Sequence, residues 1–123
     1  MTVQSQISLY ERLGGAPGIA ATVEDVWANH TSNPLVKARY ASSDPEKVKR
    51  LVREQFGAAT GGPETYTGRD MLSAHKGLNI SEQEFLAVID DVLDALSKNG
   101  VGQKEQDEVL AILYSTRKEI IRV

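Results

Sequence analysis

The chain has no cysteine, which excludes a disulfide framework and any thiolate metal centre. It has only two histidines, His30 and His75, too few for a zinc site, which takes three or four side-chain ligands. No run approaches the roughly 18 apolar residues of a membrane span. The opening Met-Thr-Val-Gln-Ser-Gln lacks the basic and apolar regions of a signal peptide, so a cytoplasmic protein with no membrane partner is expected. An excess of positive charge is missing too: 14 Lys and Arg face 17 Asp and Glu, a formal net charge of −3. That argues against nucleic acid as a partner, because nonspecific binding needs a basic footprint. No alternating strand pattern of useful length and no internal repeat is seen. At 123 residues the expectation is one domain spanning 1–123, long enough to bury a core without disulfides.

What is present is helical periodicity broken by glycine and proline. A short helix over 8–13 is stopped by Gly14-Gly15. The next, over 18–31, places Ile19, Val23, Val26 and Trp27 on one face, with His30 nearly in line. Asn33-Pro34 ends it, and 35–40 reads as a turn. Asp44 caps a helix with Pro45 in its first turn, running to about position 60. Its stripe is Val48, Leu51, Val52, Gln55, Phe56 and Ala59. Lys47, Lys49, Arg50, Arg53 and Glu54 take the other face, either a solvated surface or a rim for an anionic cofactor. Gly61-Gly62-Pro63 closes it. Ser81 and Glu84 make a capping box for a helix with Phe85, Val88, Ile89, Val92, Leu93 and Leu96 inward. Asn99-Gly100 ends that one, and a last helix is expected over 104–121. The fold class is all-α, with four long helices and short pieces between them.

The segment 66–78 stands apart. Met71, Ala74, His75 and Leu78 fall on one face of a helix that starts near Gly68 and stops near Gly77. A helix this short buries too little to hold itself in place, so something large must pack on its Met71/His75/Leu78 face. Two readings of His75 stand here: a core histidine with a hydrogen-bonded ring, or a single axial metal ligand. Haem iron is the metal centre that often asks for one protein ligand. Core packing accounts for each long stripe separately, but poorly for a histidine-bearing helix between two glycine breaks, which lower local stability. A cofactor bound to the native state restores it by RT ln(1 + [L]/Kd), about 4 kcal/mol at roughly a thousand-fold excess over Kd.

With these motifs the chain resembles the truncated haemoglobins, the short bacterial globins built as a two-over-two helical sandwich, and most of all their first group. The likeness spans roughly 8–121. It rests on Leu9-Tyr10-Glu11-Arg12-Leu13-Gly14-Gly15, on Gly61-Gly62-Pro63-Glu64, on Tyr66-Thr67-Gly68, and on Met71 with Ala74-His75. The two Gly-Gly pairs and the Tyr-Thr-Gly…His spacing together are specific.

The resemblance implies haem b with His75 as the proximal iron ligand. It implies a pocket lined by Met71, Leu78, Phe85, Val88 and Leu113, and an aromatic at Phe56 beside a ligand tunnel. Lys and Arg on the helix from position 46 would meet the haem propionates. Relatives usually carry Tyr, Phe and Gln or His at the positions held here by Trp27, Tyr40, and Val48, Leu51 and Val52. The distal ligand pocket is therefore Trp27, Tyr40, Val48, Leu51 and Val52, with indole N–H and phenol O–H as its candidate donors or as space-filling rings. The expected partner is a diatomic gas (O2, NO or CO), in oxygen binding or transport. Conversion of nitric oxide to nitrate is the candidate activity, with a reductase as redox partner and a monomer or weak dimer as the assembled state. The alternatives are a haem-based sensor or interaction domain, a globin-like fold without haem, and an internal sixth ligand from His30 or Lys49.

Overall fold

Short polar side chains set where the helices begin. In the computed structural model, which describes residues 7–123, the Ser8 hydroxyl accepts from the Glu11 N–H (3.2 Å) and opens α1 (Leu9–Arg12). Asp44 accepts from the Glu46 N–H (3.1 Å) and opens α3 (Pro45–Ala59). Asp70 opens α4 (Met71–His75), and the Ser81/Glu84 capping box opens α5 (Glu82–Lys98). Each cap satisfies an N–H that the helix itself leaves free. Between them lie α2 (Gly15–Ser32) and a 3-10 turn (Lys37–Tyr40). The chain ends with α6 (Gln103–Tyr114) and α7 (Arg117–Ile120). Among the described residues there is no strand, and no helix is long and apolar enough to cross a membrane.

Two boundaries differ from the sequence expectation. Helix α2 begins at Gly15 rather than position 18, because Pro17 sits in the first turn, where its missing N–H has no helical partner to lose. The expected last helix is two. Ser115 Oγ donates to the Ile112 carbonyl (2.5 Å) and Thr116 Oγ1 to the Leu113 carbonyl (2.6 Å). Such back-bonding competes with the helical ladder, and the chain bends between α6 and α7.

The buried core is one-sided. Leu9, Leu13, Ile19, Val23, Val26, Val92, Ala95, Leu96 and Val109 form it, from α1, α2, α5 and α6. Helix α2 lies against both α5 and α3, α6 against α5, and α1 against α2 and α6. Arg12 ties α1 to α6 by donating to Glu105 (2.9 Å) and Glu108 (2.9 Å). The C-terminal segment returns under α4: Ile121 bridges Ile80 in parallel, Arg122 N–H donates to the Ile80 carbonyl (2.9 Å), and Gly77 N–H to that of Val123 (3.0 Å).

Leu96, in the middle of this core, is 1% exposed, whereas Leu86 on the same helix is 46% exposed. Leu96→Ala is expected to lower unfolding free energy by about 2–5 kcal/mol through lost burial and a cavity. Leu86→Ala should stay within about 0.5 kcal/mol. Urea unfolding of both variants checks the pair.

Candidate cofactor site

His75 is the last residue of α4, a helix of 5 residues. Its Nδ1 lies 2.8 Å from the Met71 carbonyl oxygen. A carbonyl can only accept, so Nδ1 carries the proton, and in the neutral imidazole the lone pair is then on Nε2. Nε2 has no hydrogen-bond partner among the described residues. An imidazole whose Nδ1–H is bonded to a backbone carbonyl has the tautomer and fixed ring that metal-ligating histidines show. No group of three or more His, Cys, Asp or Glu that could hold a metal occurs among the described residues. A metal at His75 would have to bring its other ligands with it, as iron does in a porphyrin.

The loop before α4 is built to fix it. Glu54 of α3 accepts from the Thr67 N–H (2.9 Å) and hydroxyl (2.6 Å), and these bonds, the hydroxyl's first, pull the Glu54 carboxyl below its ordinary range. Tyr66 folds over Gly68 and donates to the Arg69 carbonyl (2.6 Å). A Cβ at Gly68 would stand 2.4 Å from the Tyr66 oxygen, so any other residue there would displace the Tyr66 ring. After α4, Gly77 turns the chain at φ +85, a conformation that suits glycine. Leu78 consequently does not continue the Met71/Ala74/His75 face. The helix has already ended at His75, and Leu78 is 46% exposed.

The stripe of α3 is left uncovered. No apolar side chain of α3 is fully buried: Val48, Leu51, Val52 and Phe56 are all half-buried. Met71, Ala74, His75, Val88, Ile112 and Leu113 are half-buried as well. Val52, Phe56, Ile112 and Leu113 fringe the core without entering it. Helix α3 lies on α2 while α4 packs on α7, and among the described residues one side-chain hydrogen bond, Gln55 Nε2 donating to Met71 Sδ (3.2 Å), links α3 with α4. A periodic apolar stripe left short of burial is what a large flat apolar cofactor would cover. Phe85 behaves differently: it is 6% exposed and packs by its ring on Tyr114 (6.3 Å between centroids).

On the other side, Trp27 and Tyr40 meet edge to face at 5.8 Å. Both are half-buried, and neither the indole N–H nor the phenol O–H has a hydrogen-bond partner among the described residues. Burial pushes the Tyr40 phenol up, and the nearby Asp91 carboxylate adds to that. The two residues weighed as an internal sixth ligand make contacts of their own. His30 is buried with its Nδ1 on Asp91 (2.8 Å). Lys49 Nζ donates to Glu24 (2.9 Å) and Glu46 (3.4 Å).

Sequence reasoning did not find Arg39. Its guanidinium donates to both Glu84 oxygens (2.6 and 3.1 Å) and to the Leu78 carbonyl (3.0 Å). It joins the turn that carries Tyr40 to the segment just past His75. Its partners lie 39 and 45 residues away, and no local pattern announces a pair at that distance.

A family model described as "Bacterial-like globin" matches residues 8–122. The Group 1 truncated hemoglobin GlbN of Mycolicibacterium paratuberculosis is 29% identical over 113 residues, 92% of this chain and 83% of that protein. The truncated hemoglobin from Tetrahymena pyriformis, in its Fe(III) form, superposes with a TM-score of 0.92 at 26% identity, over 95% of this chain and all of that one (100%). The 2/2 hemoglobin of a Synechococcus species, in the cyanomet state with covalently attached heme, superposes with a TM-score of 0.87 at 26% identity, over 94% and 98%.

The Glu54–Thr67 tie makes a pH prediction. A carboxyl lowered in the folded state stabilises above its unfolded value of about 4.3, and that contribution fades as pH falls through the folded value. Glu54→Gln should therefore be less stable than the wild type near neutral pH, and the gap should close as pH drops below about 4. Urea unfolding of both proteins across that range is the check.

Proposed function

The chain belongs to the bacterial-like globin family, and on that premise we propose that it takes up diatomic gases at a haem iron held by His75. It is a haem protein of the two-over-two truncated-globin fold. The observation that carries the role of His75 is its Nδ1–H bond to the Met71 carbonyl, which leaves a lone pair on Nε2 beside half-buried apolar side chains. When bound, haem supplies an iron able to hold a small gas reversibly.

The chain's own residues do the rest. The Met71 carbonyl orients the imidazole and raises its basicity. Val48, Leu51, Val52 and Phe56 on α3, with Met71, Val88 and Leu113, cover the cofactor's faces and exclude water. Phe85 supports that wall from within the core. Trp27 and Tyr40 offer the two polar hydrogens of the distal side. One hydrogen bond of about 1.5–3 kcal/mol changes affinity by roughly ten- to a hundred-fold, so these two side chains set the gas preference. Lys47 and Arg53, in no ion pair among the described residues, are the candidates for the cofactor's carboxylates. Lys49 is taken by Glu24. Conversion of nitric oxide to nitrate is the activity that fits a gas-binding iron. Each turnover would need an electron from a reductase, because these residues supply none.

Absorption spectra in ferric, reduced and reduced-plus-carbon-monoxide forms test the proposal. The wild type should show a Soret band that shifts with carbon monoxide, and His75→Ala should lose or alter it. A wild type that retains haem but takes up no gas when reduced overturns the reading. Haem should also raise the thermal midpoint of the wild type well above that of His75→Ala, since a ligand at about a thousand times its Kd adds ~4 kcal/mol.

A further inference from the structure

Behind the distal aromatics lies a buried polar cluster that gas binding as described does not use. His30 of α2 and Asp91 of α5 are 6% and 7% exposed. Asp91 Oδ2 accepts from His30 Nδ1 (2.8 Å). Asn33 Nδ2 donates to both carboxylate oxygens (3.1 and 3.2 Å), and Asn29 Nδ2 donates to the Asp91 carbonyl (2.9 Å). The imidazole of His30 then stacks on Tyr40, with centroids 5.1 Å apart and planes 10° from parallel. Trp27 meets the same Tyr40 ring edge to face, with centroids 5.8 Å apart.

Stability alone is a poor account of this cluster. Taking a carboxylate and an imidazole out of water costs energy that well-packed apolar side chains avoid, and buried ion pairs are often replaceable by such residues. What a buried pair does provide is orientation. Asp91 can hold the His30 ring in one plane, and that plane lies flat under Tyr40. The same carboxylate reaches the backbone below Tyr40 by a second route. Asn33 Oδ1 accepts from the Leu35 N–H (3.0 Å), and the Asn33 carbonyl accepts from Val36 (3.1 Å) and Lys37 (2.8 Å), at the start of the turn that ends in Tyr40.

We infer that His30 and Asp91 are positioning residues for the gas site: Asp91 fixes the His30 imidazole, and the face of that imidazole fixes Tyr40 against Trp27. The inference rests on the proposal that Trp27 and Tyr40 face the bound gas. It predicts that changes at Asp91, a residue of α5 that bonds His30, are felt by the ligand through the Tyr40 ring.

The test is a double-mutant cycle read by the C–O stretching band of the reduced protein with carbon monoxide. Asp91→Asn keeps shape and removes the charge. His30→Leu removes the platform. Each should shift the band or split it, and neither should add a further shift once Tyr40→Leu has removed the ring. An Asp91→Asn band identical to that of the wild type overturns the inference, and so does an equal shift in the Tyr40→Leu background. If His30→Leu does not fold, the Asp91→Asn arm decides alone. Absence of any carbon monoxide band in the wild type would instead be failure of the gas-binding proposal. The emission of Trp27, the single tryptophan of the chain, then decides the positioning in the same purified proteins. Asp91→Asn should shift that emission when Tyr40 is present and leave it unchanged when Tyr40 is Leu, and any other pattern overturns the inference.

Discussion

A helix of 5 residues has too few internal hydrogen bonds to persist alone, and the chemistry of this chain depends on what holds α4 still. Four contacts do so. Asp70 caps its start. Glu54 anchors the loop ahead of it through Thr67. The C-terminal segment bonds to the backbone just past it at Gly77 and Ile80. Arg39, from the 3-10 turn, donates to the Leu78 carbonyl. Each comes from a different part of the chain. The imidazole of His75 is thus oriented by one short-range bond, to Met71, on a helix oriented by long-range ones.

That arrangement explains the division of the interior. The core of α1, α2, α5 and α6 is closed and requires nothing further. The apolar residues facing from α3 and α4 are half-buried, and Gln55 to Met71 is the hydrogen bond between those two helices among the described residues. A chain that closed this gap with its own side chains would lose the room for a flat cofactor. One that left it open with no other support would have a loose α3. Lys49 on Glu24 and the packing of α3 on α2 provide that support from outside.

Much of this was legible in the residues. Every cap expected at Asp44 and Ser81 forms as read, because capping is a matter of spacing over three or four residues. The stripe of α3 was legible for the same reason, and so was a short helix carrying His75 between Gly68 and Gly77. Leu78 was misplaced because a period-based reading carries a helix one turn too far when the stop is a backbone reversal at Gly77. The break between α6 and α7 was hidden because serine and threonine are ordinary helix residues until their hydroxyls turn back onto the carbonyls. Phe85 is a pocket residue by the resemblance, and the structure sets it, 6% exposed, against Tyr114, a neighbour that no local pattern announces. The pairs His30–Asp91, Arg39–Glu84 and Glu54–Thr67 have no sequence signature, because each joins residues on separate elements.

The distal side follows a different logic from the proximal one. On the reading proposed above, Val48, Leu51 and Val52 bring no polar hydrogen to the bound gas, and Trp27 of α2 and Tyr40 of the 3-10 turn would supply it. A donor on a helix is positioned by the helix. A donor at the end of a turn of four residues needs other restraints, and Tyr40 has three: the His30 ring under it, the Trp27 edge beside it, and the Arg39–Glu84 pair on the residue before it. Moving the polar group from a long helix to a short turn thus transfers the burden of precision to groups outside the pocket. The buried polar group of Asp91 is costly for a small domain and hard to explain as packing. It becomes intelligible as the fixed end of that chain of restraints.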